Sequence, residues 1–206
     1  SPLPVDNITA VAFEENNKVW IGTAGGGLVL FDGINWSVYN TSNSDLTSNF
    51  ILTIAVDIQN DKWIGIYRQG TAKFNGVSWQ IYNSFEIGVS KSPYHIAIDL
   101  NNIPWAAIGI QQLIPGGSAF FNGTAWETFA GLPSNSVLYV GVDSDNNKWF
   151  CNSEYGLSKY DNGLWTNFTT ANSKIPNNRV FALAIDGAGN KWLATYGGGI
   201  AKFKGY

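Results

Sequence analysis

Residues able to do chemistry are few in this chain, and their spacing is more informative than their types. There is one histidine, His95, and one cysteine, Cys151. Neither a His-pair metal site, a cysteine-based zinc site nor an internal disulfide can be assembled from them. Cys151 follows Trp149-Phe150 and is expected as a small buried core thiol. The run Asp143-Ser144-Asp145-Asn146-Asn147 alternates oxygen ligands like a calcium loop, but lacks that motif's sixth-position glycine and distal glutamate. An Asx-type turn accounts for it better, and neither a metal nor a cofactor is expected. The glycine clusters match neither G-x-x-x-x-G-K-[ST] nor G-x-G-x-x-G, so they read as hairpin glycines and not as a phosphate cradle. A Ser-His-Asp triad has no nucleophile motif to support it.

A repeat positions these residues. Trp20, Trp63, Trp105, Trp149 and Trp192 are separated by 43, 42, 44 and 43 residues. Ahead of each lies an apolar run closing on an acid: Glu14, Asp57, Asp99, Asp143 or Asp186. Behind each come a Gly-rich turn, a strand closing on Phe31, Phe74, Phe121, Tyr160 or Phe203, and a tight turn such as Asn75-Gly76. Asn-Gly and Asp-Gly tolerate the positive φ of hairpins. A last strand opens on Trp36, Trp79, Trp126 or Trp165.

Four short antiparallel strands in about 43 residues make one blade of a β-propeller, lettered A to D from the centre outward. The expected architecture is all-β: a single domain over 1–206 with five blades, at 7–40, 50–83, 94–129, 136–170 and 179–206. The last blade lacks its outer strand, because residues 1–7 match the linker 173–179 and do not supply it. Five blades closing into a ring are favoured over an arc of a larger one. Blade 3 has 16 residues from Trp105 to Phe121 where the others have 11, and the extra ones surround Gln111-Gln112-Leu113-Ile114-Pro115. Its following D–A linker is shorter. Both changes fall on one rim, where B–C turns and D–A linkers emerge together.

Hydrophobic residues make up 45% and charged residues only 13%, as suits many short strands around a large core. A net charge of −3 gives no pull toward nucleic acid. Lys62, Lys148 and Lys191 precede a key Trp, and Lys73, Lys159 and Lys202 precede a closing aromatic. A dispersed, solvated ring of lysines is expected from that placement. No apolar run is long enough for membrane insertion. No signal peptide is visible and there is no methionine, as in a mature chain, a piece excised from a longer one, or a chain that has lost a start Met before Ser1.

Eight of the fifteen carboxylates fall in A–B turns, and Asp32 and Asp161 in C–D turns on the same lower rim. Glu127 lies in an outer strand, which leaves only Asp6, Asp45, Glu86 and Glu154 for the upper rim. A glycosidase needs two acids about 5 to 10 Å apart, which Glu86 and Glu154 could supply, so a glycoside hydrolase or polysaccharide lyase is the alternative function. The upper rim also offers Tyr67 with Arg68, Gln111, Glu154 with Tyr155, and Tyr196, while His95 and Tyr139 approach the mouth of the central channel. Aromatics beside amide and charged groups suit a glycan or peptide ligand. A scaffold binding a protein partner is the third reading.

The run Asn17-Lys18-Val19-Trp20-Ile21-Gly22-Thr23, then glycines, Leu28 and Phe31-Asp32-Gly33, resembles the two-component regulator propeller repeat. The resemblance is strong at Trp20 and Trp192 and weak at Trp105, where Pro104 and Ala106-Ala107 depart from it. It implies a bacterial, extracytoplasmic (periplasmic or secreted) sensor propeller, often one responding to glycans. It transfers no catalytic residues.

Overall fold

The computed structural model describes residues 2–83, 92–109 and 117–204, so Glu86 and Gln111 lie outside the described residues. Five antiparallel sheets follow one another, each built from consecutive strands. The first comprises β1 (Ile8–Phe13), β2 (Val19–Thr23), β3 (Leu28–Phe31) and β4 (Trp36–Tyr39). The second comprises β5 (Ile51–Val56), β6 (Lys62–Ile66), β7 (Gly70–Phe74) and β8 (Trp79–Tyr82). The third comprises β9 (Pro93–Ile98), β10 (Pro104–Ile108), β11 (Gly117–Phe121) and β12 (Trp126–Phe129). The fourth comprises β13 (Val137–Val142), β14 (Lys148–Asn152), β15 (Leu157–Asp161) and β16 (Leu164–Phe168). The fifth has three strands: β17 (Val180–Ile185), β18 (Lys191–Thr195) and β19 (Gly199–Phe203). These are the five blades, the last with no outer strand among the described residues.

The expected ring closure does not occur. The inner strands pack in the series β1, β5, β9, β13 and β17, and no comparable packing joins β17 to β1 among the described residues. The outward faces of the end blades accordingly carry exposed apolar side chains, Val11 and Phe13 at one end and Trp192 and Ile200 at the other.

The core lies between blades. Trp20, Leu28 and Ile51 pack with Ile64 and Phe74 at the first junction, and Trp63 packs with Ile96, Phe121 and Trp126 at the second. Trp105, Val140 and Phe150 fill the third, and Trp149, Leu157, Leu193 and Phe203 the fourth. Each sheet therefore needs a neighbour to bury its faces. Cys151 is buried in the fourth cluster, as expected, and burial pushes its thiol pKa up.

The repeat's acid and tryptophan have one shared task. In every blade the indole Nε1–H donates to the carboxylate closing strand A: Trp20 to Glu14, Trp63 to Asp57, Trp105 to Asp99, Trp149 to Asp143 and Trp192 to Asp186. Those acids are structural. Asp143 also accepts from the Asn147 backbone and side chain, which makes the calcium-like run a turn around one engaged carboxylate.

The lysines correct the sequence reading. Lys62, Lys148 and Lys191 are buried, because each crosses a blade junction to the preceding blade's acid: Glu14 at 3.5 Å, Asp99 at 2.8 Å and Asp143 at 3.5 Å. Each ammonium also sits over that blade's tryptophan, 4.8, 5.2 and 4.4 Å from the ring of Trp20, Trp105 and Trp149 respectively. A buried cation persists where it is paired in this way.

Candidate functional site

Every inner strand is bulged near its upper end. The β1–β2 register skips Thr9, β5–β6 skips Leu52, β9–β10 skips Tyr94, β13–β14 skips Leu138 and β17–β18 skips Phe181. A bulge leaves one residue out of the ladder and re-aims its side chain. All five skipped residues line a single upper cavity of about 590 Å³, together with Val11, Thr53, His95 and Tyr139. Sequence reasoning missed this ring. The signal was present as the extra residue between the strand's start and its acid, but a bulge cannot be told from a longer strand without the pairing partner.

His95 and Tyr139 do meet at the channel, stacked with ring centroids 3.6 Å apart and planes 20° from parallel. They also line a second cavity below, against Leu183 and Ile185, so the pair divides the central groove into upper and lower halves. His95 Nδ1 is buried without a hydrogen-bond partner among the described residues. Burial lowers the His95 pKa to about 4, only partly countered by a hydrogen bond with the Val140 backbone, so the ring is neutral near pH 7. Burial likewise raises the Tyr139 pKa.

Two cation–aromatic groups lie at the upper ends of the second and fifth blades, next to β5–β6 and β17–β18. In one, Phe50 lies against Tyr67 with centroids 5.0 Å apart, and the Arg68 guanidinium lies 5.1 Å from the Tyr67 ring. Arg68 adopts a φ of 59°, and its backbone N–H donates to Ser92 Oγ at 2.9 Å. In the other, Arg179 lies 4.9 Å from the Tyr196 ring, its Nε donates to the Ser153 carbonyl, and Nη2 is 3.9 Å from Glu154. Phe181 meets Tyr196 edge-on at 6.1 Å, which links this group to the bulge ring. Tyr155 is exposed beside it. Of the predicted residues, His95 and Tyr139 come together, as do Glu154 and Tyr196 through Arg179, while Tyr67 and Arg68 form a separate group. Phe50, Tyr94, Arg179 and Phe181 are additions.

The fold and this site define a β-propeller with an aromatic-lined upper cavity. No family model and no curated protein matches the sequence. Among solved structures, the chain is similar to the extracellular domain of a protein assigned as the hybrid two-component system BT3049 of B. thetaiotaomicron. The TM-score is 0.81 at 23% identity, over 96% of this chain and 28% of that one. It is also similar to PorZ, a surface component of the type-IX secretion system of Porphyromonas gingivalis (TM-score 0.80, 19% identity, 96% and 32% of the two chains). A third is virginiamycin B lyase from Staphylococcus aureus (TM-score 0.76, 12% identity, 96% and 70%). The chain spans about a third or less of the first two. These likenesses show a shared propeller fold.

Proposed function

We propose that this propeller is a non-catalytic, extracytoplasmic recognition module that takes a glycan or peptide on the rim of B–C turns and D–A linkers. The observation that carries the reading is the ring of five bulged residues, which turns Thr9, Leu52, Tyr94, Leu138 and Phe181 into one cavity. Tyr94 and Phe181 remain exposed there, offering faces on which a sugar ring or an apolar peptide side chain can stack. Arg68 and Arg179, each laid over a tyrosine, supply charged edges on either side for hydroxyl, amide or carboxylate groups. The carboxylates closing the A strands are engaged on the opposite rim and contribute nothing to this surface. The extracytoplasmic placement is supported by the likeness to extracellular domains of two-component proteins.

The test is a glycan array and a peptide library screened with the intact chain, followed by titration of the hit against single variants. Tyr67→Ala, Arg68→Ala, Tyr155→Ala and Phe181→Ala are expected to weaken binding at least tenfold in one or more cases, with thermal stability unchanged. Full affinity in all four overturns the reading.

A further inference from the structure

The outward face of the fifth blade has the composition of a blade junction and lacks the other half. Trp192 is 41% exposed, while its counterparts Trp20, Trp63, Trp105 and Trp149 are 1 to 6% exposed. Ile200 on β19, at the position of Leu28, Thr71, Ser118 and Leu157, is 77% exposed where those are 0 to 3%. Leu28 and Leu157 are covered by side chains of the following blade. Ile200, Trp192 and Lys202 share one face of the sheet, since Trp192 pairs with Lys202 and Ala194 with Ile200.

Charge points the same way. At three of the four junctions a lysine from the following blade, standing immediately before its strand-B tryptophan, bonds the preceding acid and caps the preceding tryptophan. At the remaining junction Pro104 occupies that position, and Lys73 of the same blade as Asp57 lies 4.0 Å from that acid instead. Asp186 accepts from Trp192 and Asn190, and no lysine or arginine among the described residues forms an ion pair with it. Its equivalent of Lys73, Lys202, lies over the Trp192 ring at 5.3 Å.

We infer that this face is an inter-blade interface, and that its occupant is a further four-stranded blade of the same repeat carrying lysine immediately before its strand-B tryptophan. Continuity with the existing junctions supplies the shape, and the unpaired Asp186 supplies the charge preference. A second copy of the chain, docking through its first blade, fits less well. In that blade Val19 pairs with Phe31 as Lys62 pairs with Phe74, so it offers valine where the lysine belongs. Lys18 is already turned to Glu14 of its own blade.

The experiment extends the chain by repeating residues 161–203 after Phe203, which supplies the fifth blade's outer strand and the three inner strands of a new blade with a second Lys191. A parallel extension repeats residues 122–160 after Phe203 and brings Lys148 instead, so that failure of one graft to fold leaves the other. Acrylamide quenching is read as the difference between each protein and its Trp192→Phe variant. The unextended chain is expected to be monomeric by light scattering, with Trp192 accessible. In either folded extension the Trp192 contribution is expected to be lost, and to return in part when the added lysine is changed to alanine. Undiminished quenching in a folded extension overturns the inference, and so does indifference to the added lysine. A homodimer of the unextended chain with Trp192 protected also overturns it, by assigning the face to a second copy. None of these readouts depends on the ligand proposed for the upper rim.

Discussion

His95 of the third blade and Tyr139 of the fourth stack with ring centroids 3.6 Å apart, and desolvation of the half-buried imidazole keeps it neutral near pH 7. Its folded pKa of about 4 lies below the ordinary value of 6.5. Such a group contributes stability that is present above the unfolded pKa and lost as pH falls toward the folded one. At roughly 1.4 kcal/mol per pKa unit, as much as about 3 kcal/mol is lost between pH 6.5 and 4. His95→Phe keeps the stack and removes the titration. Urea unfolding of the variant across that window is expected to show a flatter dependence on pH than the parent, and an identical slope would refute the assignment.

Lys148 and Asp99 form the shortest of the cross-blade ion pairs at 2.8 Å, with both side chains nearly inaccessible. Burial alone would raise the Asp99 pKa, but Lys148, the Ile103 backbone N–H and the Trp105 indole outweigh it and hold it low. Lys148→Met strands a buried carboxylate, and a loss of about 3 to 5 kcal/mol is expected by chemical denaturation. Asp99 contributes stability above the ordinary carboxylate range, which is lost as pH falls through its lowered folded value. The variant's deficit should therefore shrink in acid. Adding Asp99→Asn to Lys148→Met removes the stranded charge and is expected to recover most of the loss. A double variant no better than the single one would show that the lysine acts by packing.

Arg179 is half-exposed and Glu154 largely so, and the two approach only to 3.9 Å. Water screens such a pair, and its removal is expected to change stability by less than about 1 kcal/mol. Arg179→Ala should thus leave the unfolding midpoint nearly unchanged while removing the cation from the Tyr196 ring and the support under Ser153. A large stability loss would mean that Arg179 serves the fold and not the rim.

Periodicity made the blades legible because the key Trp and the closing aromatic recur in all five units, and the Asn-Gly or Asp-Gly turn in four of them. The roles of the acid and the lysine were hidden. Asp99 and Trp105 are neighbours in sequence and their bond could be guessed, but Lys148 reaches Asp99 from the next blade, and nothing local separates it from a solvated lysine. Ring closure was misjudged for a related reason. Trp192 has the same sequence context as Trp20, and what sets the two apart is packing from a neighbouring blade, which covers Trp20 and not Trp192 among the described residues. At the site, Tyr139 and His95 were found through their position before the acid. Phe181 and Tyr94 were missed because an unpaired bulge residue is defined by its partner strand.

The B–C turn glycines test whether the repeat's glycines are structural. Gly27, Gly70 and Gly156 all have positive φ, at 92°, 86° and 78°. In each case a Cβ would run into a strand-D carbonyl, that of Tyr39, Tyr82 or Phe168. The turn therefore allows the outer strand to approach as closely as it does, and backbone cannot yield as a flexible side chain would. Gly156→Ala combines a left-handed strain of about 1 kcal/mol with overpacking of about 1 to 3 kcal/mol. Gly197, at a φ of 71°, has open space where its Cβ would stand, so Gly197→Ala should bear only the conformational term. Denaturant titration of the two is expected to show Gly156→Ala the more destabilised by about 1 to 3 kcal/mol, the overpacking share. Equal losses would mean that the carbonyl contact carries no cost and that the repeated glycine is there for its φ alone.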